Sequence, residues 1–342
     1  MRITGSFMSI SRRTTEPGGK RREATMRKGS IGLAAGSLVI GTGLACRAAP
    51  DAEPAPGQAA AYELVEGWGG AREEVGTVTA GDAAVYGNVY AFRRDANDVW
   101  KLDADGNLLE RWDQDFAQWA HGIRVGPDGS IWTVDGQGHQ VKKWSHDGRE
   151  LLMTLGEYGV AGETPDLFNR PTDVAFGPNG EFFVSDGYGN NRVAKYDRNG
   201  EFIMAWGEAG TEPGQFNLPH TIVVDARNRV FVGDRENARI QIFDLDGNLL
   251  EIWEHLGSPY GLSIDGSDQL YVADLVNARI WIARASDGEL LRTIDDTKAI
   301  HWVAADRLGN VYASTPAPST GQFWDDPSEV WYLRKYQKVE DR

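Results

Sequence analysis

FNRPTDVAFGPNGEFFVSDGYGNNRVAKYDRNGEFIMAWGEAGTEPGQF, residues Phe168–Phe216, sets the pattern for the rest of the chain. Short apolar runs alternate with turn chemistry in it: VAF, then Gly177-Pro178-Asn179-Gly180, EFFVSD, a Gly/Asn loop, RVAKY, Asp197-Arg198-Asn199-Gly200 and FIMAW. Runs rich in β-branched and aromatic residues between such turns read as an antiparallel meander of four strands.

Working outward, the same order recurs. Downstream lie His220-TIVV, RVFVGD, ARIQIF, Asp244-Leu245-Asp246-Gly247 and LLEIW, then Tyr260-GLSI, QLYVAD, ARIWIA, Ser286-Asp287-Gly288 and LLRTI. Upstream lie His121-GIRV, Gly126-Pro127-Asp128-Gly129, SIWTVD, VKKW, His146-Asp147-Gly148 and LLMTL. Equivalent first-strand positions are His121, Thr172, His220, Tyr260 and His301, spaced 51, 48, 40 and 41 residues apart. A four-stranded unit with a period of about 40 to 50 residues predicts an all-β fold, a β-propeller. The first copy is the least regular, with Asn88–Phe92, Asp98–Leu102 and LLERW, and its innermost strand is placed near residues 76–86. Counting it gives six blades. The last copy, from His301, holds three strands, and Tyr62-ELVEGWG resembles the fourth-strand segments, so the N-terminal strand is expected to complete the last blade and close the ring.

Residues 1–46 stand apart, with eight Lys/Arg against two Asp/Glu and the apolar run Ile31–Leu44 before Cys46. That pattern predicts an export signal starting at Met1, Met8 or Met26. Cys46, the one cysteine of the chain, follows Gly43-Leu44-Ala45, where a lipoprotein signal places its acylated residue, although Gly43 stands where a strong signal has Leu. Ordinary cleavage nearby is the alternative, and the run of 14 residues is too short to span a bilayer. Residues 47–61, with three prolines among alanines, read as a flexible tether, and 62–342 as the propeller. Expected localisation is the cell envelope, with a membrane reached only through a lipid on Cys46. Without residues 1–46 the chain carries 27 basic and 48 acidic side chains, net −21, a sign that repels nucleic acid. A closed ring needs no partner, so a monomer is expected.

The Asp-x-Asp-Gly stretches resemble calcium loops, but they fall at one hairpin position and lack a downstream Glu, so they read as turns. Arg192, Arg239 and Arg279 each open a third strand and read as repeat architecture. Different chemistry sits at the channel mouth. In a meander, the loop entering the first strand and the loop joining the second to the third share one edge. His121, His220 and His301 therefore lie at one depth on the second, fourth and sixth blades. Three imidazoles converging from alternate blades make a facial site with an open fourth position, the pattern of catalytic zinc. On the same face fall Arg94 with Arg93 beside it, Tyr188 in Ser185-Asp186-Gly187-Tyr188, and Arg235 in Gly233-Asp234-Arg235-Glu236. A phenol near a metal transfers protons, and guanidinium groups clamp a carboxylate. His139, His146 and His255 lie in loops or turns away from this layer, and many of the twelve tryptophans fall at strand ends, where they read as packing between blades.

Over Tyr62–Lys338 the sequence resembles the propeller-shaped peptidyl-α-hydroxyglycine α-amidating lyases, which carry NHL-type repeats. Ser-Asp-Gly-Tyr, Leu-Pro-His and Asp-Arg-Glu-Asn in succession carry the resemblance. It implies zinc on His121, His220 and His301, Tyr188 as general base, Arg94 holding the substrate carboxylate and Arg235 as a further active-site arginine. The reaction implied is cleavage of an N–Cα bond in a carbinolamide, giving an amide and glyoxylate, on a small molecule or peptide ending in a 2-hydroxyglycine-like group. A structural calcium is implied too, but the family's aspartate after the third histidine is Trp302 here, and its methionine two residues before that histidine is Ala299. Four cysteines that pair in the animal enzymes correspond to Asn169, Gly189, Phe231 and Ile242. Two other readings stay open. One is a non-enzymatic NHL-type propeller binding a peptide or protein at its mouth. The other is a lactonase-like hydrolase, against which stands the lack of a carboxylate ring at the first-strand layer.

Overall fold

The computed structural model describes residues 62–70, 76–84, 87–113, 116–295, 300–315 and 333–339. The expected signal 1–46 with Cys46, the tether 47–61 and Ala299 lie outside the described residues. The strands form six four-stranded antiparallel sheets, one for each expected blade. Blade three runs Asp173–Phe176, Phe182–Asp186, Arg192–Tyr196 and Phe202–Trp206. The innermost strands of the others are Val78–Ala83, Ala120–Val125, Pro219–Val224, Pro259–Ile264 and Trp302–Ala305. The least regular copy is therefore a complete blade, with its inner strand inside the expected stretch.

Burial follows position in the blade. Every residue of Phe182–Asp186 is buried, whereas the outer strand Phe202–Trp206 is half-exposed. The Asp-containing turns behave as turns. Asp197 Oδ1 accepts the backbone N–H of Asn199 and of Glu201, both at 2.8 Å, and Asp103 and Asp244 repeat the arrangement. Their lone pairs are spent on the backbone, which is why these carboxylates hold hairpins rather than ions.

The cores lie between blades. Trp132 and Val134 of blade two pack on Phe182, Val184 and Tyr196 of blade three, and each other neighbouring pair shares a similar cluster. The cluster of Trp68, Val78, Val89, Trp100, Tyr312 and Leu333 joins the last blade to the first. Each fully buried large side chain contributes about 1.5–3 kcal/mol. A recurrent contact locks the outer rims: the tryptophan ending one fourth strand lies over the glycine of the next blade's last hairpin. Trp112 covers Gly148, Trp206 covers Gly247 and Trp253 covers Gly288. Gly148 has φ 70°, and a Cβ there would meet Trp112 at 2.3 Å, so this turn needs glycine for both its backbone and its neighbour.

Tyr62–Leu64 pairs with Leu333–Lys338, opposing Tyr62 to Lys338 and Leu64 to Tyr336. The N-terminal strand is thus the outer strand of the last blade, as its sequence predicts. No helix of the described residues is long and apolar enough to cross a membrane.

Candidate metal centre and active site

Four inner strands bulge at one layer. Their register slips at Thr79, His121, His220 and Tyr260, the residues between the slipped pairs. A bulge adds a residue without a ladder partner and re-aims its side chain, here toward the channel. His301 reaches the same layer from just before its strand, its N–H bonded to Ser314 O at 2.9 Å.

The three rings stand nearly perpendicular to one another, with centroids 4.8, 5.0 and 5.5 Å apart. His121 and His220 are fully buried and His301 is 4% exposed. Each is oriented by the next blade round the ring. His121 Nδ1 donates to Thr172 O at 2.7 Å, His220 Nδ1 to Tyr260 O at 2.6 Å and His301 Nδ1 to Thr79 O at 2.9 Å. A carbonyl can only accept, so each neutral ring carries its proton on Nδ1 and presents the Nε2 lone pair inward. Burial first, then the neighbouring cations, hold these imidazoles below their ordinary range, His301 at about 3. They are neutral at physiological pH, the state in which an imidazole can donate to a metal.

Tyr188 bridges two of them. Its hydroxyl is 3.2 Å from His121 Nε2 and 3.1 Å from His220 Nε2, and it accepts from Arg235 Nη1 at 3.3 Å. One phenolic hydrogen cannot serve two acceptor nitrogens. A Lewis acid among the three Nε2 atoms satisfies them better than the protein does, and the candidate ligand atoms all lie within 4.8 Å of one another. The tyrosine arrives there by a close approach. Asp186, fully buried, holds Asn169 N, Asn190 Nδ2 and Arg192 Nε, while at Gly187 a Cβ would meet Pro219 O at 2.1 Å.

The three gaps between the histidines are filled unequally. Tyr188 closes the gap between His121 and His220. The Tyr260 ring packs against His220 and His301, with Arg235 over it at 4.7 Å. The third gap, between His301 and His121, has Thr79 at this layer. Arg94 reaches it, donating from Nε to Ala120 O at 3.0 Å and from Nη2 to the Thr79 hydroxyl, its guanidinium carbon over the Trp119 ring at 4.3 Å. Arg235 pairs with Glu236 at 2.6 Å, whereas Arg94 has no carboxylate partner among the described residues. Burial lowers its guanidinium to about 10. A cation with no carboxylate partner among the described residues, set beside neutral imidazoles, invites an anion.

The fold thus brings all six expected site residues together. Arg93 belongs to the blade instead, paired with Asp98 and lying on Trp100. Arg192 and Arg239 bind Asp186 and Asp234 and the carbonyls of the entering loops, the architectural role expected of them. Sequence reasoning missed Trp119, which carries Arg94, although its place two residues before His121 was visible. It also missed Thr79, on the strand it had placed only roughly. At position 302, where the resemblance implies a carboxylate for calcium, stands a buried indole that offers no oxygen ligand.

An NHL repeat model matches residues 168–196 and 216–243, in blades three and four. Peptidyl-glycine alpha-amidating monooxygenase A of Xenopus laevis is 40% identical over 142 residues, covering 40% of this chain and 15% of that protein. Peptidyl-alpha-hydroxyglycine alpha-amidating lyase 1 of Drosophila melanogaster is 32% identical over 221 residues, covering 53% of this chain and 40% of that one. The chain therefore matches less than half the length of either relative. A streptogramin B lyase structure superposes with TM-score 0.54 at 16% identity, over 82% of this chain and 88% of that one, a likeness of fold alone. The chain is an NHL-repeat propeller with homologues named amidating lyases.

Proposed function

We propose that the protein is a zinc-dependent lyase that cleaves the N–Cα bond of a peptidyl-α-hydroxyglycine or a close analogue, releasing an amide and glyoxylate. The observation that carries the reading is the set of three inward Nε2 lone pairs, each fixed by a carbonyl of the next blade, with Tyr188 bridging two of them. His121, His220 and His301 hold the metal. When bound, zinc polarises the α-hydroxyl of the substrate and acidifies it.

The chain's own groups do the rest. Arg94, with no acidic partner among the described residues, takes the substrate carboxylate in the gap over Thr79. Tyr188 is the group in reach of the hydroxyl proton. As the C–O bond becomes a carbonyl, the electron pair of the N–Cα bond leaves with nitrogen, which is protonated to the amide. Arg235 donates to the Tyr188 oxygen and keeps the phenol over the ligands. Neither oxidant nor reductant is consumed. Two further observations support the reading. The positions matching the animal cysteines fall as two adjacent pairs, with Gly189 N bonded to Asn169 O at 2.9 Å and Phe231 opposite Ile242. The motifs Ser-Asp-Gly-Tyr, Leu-Pro-His and Asp-Arg-Glu-Asn that carry the resemblance also supply Tyr188, His220 and Arg235 of the site. We further propose that the chain is exported and lipid-anchored through Cys46.

The test is metal content and turnover of residues 47–342 beside a His121→Ala/His220→Ala double variant. About one zinc per chain in the parent is expected, lost in the variant, with glyoxylate released from a hydroxyglycine-ended peptide by the parent only. A parent that takes up no transition metal when zinc is supplied overturns the reading and leaves a propeller that binds peptide at its mouth.

A further inference from the structure

Below the histidines the channel is closed by a guanidinium on which all six blades converge. Arg124 of blade two lies against Asp173 of blade three, donating from Nε at 2.9 Å and Nη2 at 2.6 Å. Nη2 also donates to Leu262 O of blade five at 3.0 Å. Thr221 of blade four donates to Asp173 at 3.0 Å. Trp302 of blade six turns its ring to the guanidinium at 4.6 Å, and Asp82 of blade one accepts the N–H of Val125, the residue after Arg124, at 2.8 Å. Asp173 accepts in addition from the backbone of Val174 at 2.8 Å and Ile222 at 3.0 Å, and is fully buried.

We propose that Arg124 is the cation of the channel axis, a covalently attached substitute for the bound calcium that the family resemblance implies, so that this ring is stable without calcium. The position where that resemblance calls for a carboxylate is the indole of Trp302. An indole face offers π density, which attracts a guanidinium but supplies no oxygen ligand. Calcium takes six to eight oxygens. Here the carboxylate of Asp173 and the carbonyl of Leu262 are already engaged by N–H donors, and a planar fork of five donors satisfies them where a spherical ion would compete with the backbone. The indole at position 302 thus accommodates the arginine, and the arginine replaces the ion. The proposal makes no use of the metal centre, although Trp302 touches the rings of His301 and His121, so its test does not depend on the lyase reading.

The experiment is thermal unfolding of the full chain, freed of calcium on a chelating resin and reloaded with zinc, with and without millimolar calcium chloride. The parent is expected to show one midpoint in both conditions, and the Arg124→Ala variant a lower midpoint that calcium raises by several degrees. Magnesium chloride at equal ionic strength serves as the control. Arg124→Lys, which keeps a charge at the axis, is expected to be less stable than the parent and indifferent to calcium. A parent whose midpoint rises with calcium overturns the proposal, as does an Arg124→Ala variant that folds and ignores it. If Arg124→Ala does not fold, the parent's own response and its calcium content on purification decide the matter.

Discussion

The histidine mouth and the arginine axis occupy successive depths of one channel, on the same inner strands, yet they use polar groups in opposite ways. At the axis every strong acceptor meets a donor: Asp173 takes five hydrogen bonds, two of them from Arg124. At the mouth three lone pairs face one phenolic hydrogen, and Arg94 faces no carboxylate among the described residues. Matched groups seal a propeller. Mismatched groups, held in place by carbonyls that fix each ring's tautomer, leave binding capacity for a metal and an anion.

This contrast can be broken from either side. His220→Ala has the largest expected effect at the mouth, lowering lyase turnover at least about a thousandfold, since Lewis-acid polarisation is worth several kcal/mol. Its unfolding free energy in urea should fall by only about 1–2 kcal/mol. Asp173→Ala inverts that pattern. It strands a buried guanidinium and should cost about 3–5 kcal/mol in the same urea titration, while bound zinc per folded chain is unchanged. Smaller again is Arg94→Ala, where loss of a charged hydrogen bond of about 1.5–3 kcal/mol should reduce kcat/KM by roughly ten- to a hundredfold. A substrate amide in place of the carboxylate should be nearly indifferent to that change. Asp82→Asn should be mildest. The carboxylate accepts from Ala83 and Val125, burial raises its pKa, and the charge is partly disfavoured already, so a neutral amide costs about 1 kcal/mol. An Asp82→Asn loss as large as that of Asp173→Ala would dissolve the distinction between the axis carboxylate and its neighbour.

The repeat was legible because strand periodicity and Asp-Gly turns are local signals, readable copy by copy from Phe168 to Ile294. The metal ligands were legible for a related reason: once copies align, His121, His220 and His301 fall in register. Ring closure by Tyr62–Leu64 needed only the observation that the last copy lacked a strand. What stayed hidden depends on partners from other blades. Arg124 and Asp173 are 49 residues apart and occupy non-equivalent places in their copies, so no alignment of repeats pairs them. Trp119 looked like one more packing tryptophan, because lying beneath Arg94 is a property of two loops from adjacent blades. Bulges at four inner strands also shift which residues point inward, and a simple alternation of faces misses them.

The closing pair of strands also governs when the molecule becomes a ring. Tyr62 finds its partner at Lys338, nearly the whole propeller later, and the ladder is three residue pairs long, extended by Val65 N–H donating to Lys335 O at 2.9 Å. Loop-closure entropy is spent there before any pairing rewards it, which makes this sheet a late event in folding and places the fold among slow, non-local topologies. In the native state the same short strand is the natural place for local opening. Fraying there would expose the flank of Leu333–Lys338 and the core around Trp68, so proteolysis is expected to begin at this seam before it reaches the deeply buried centre.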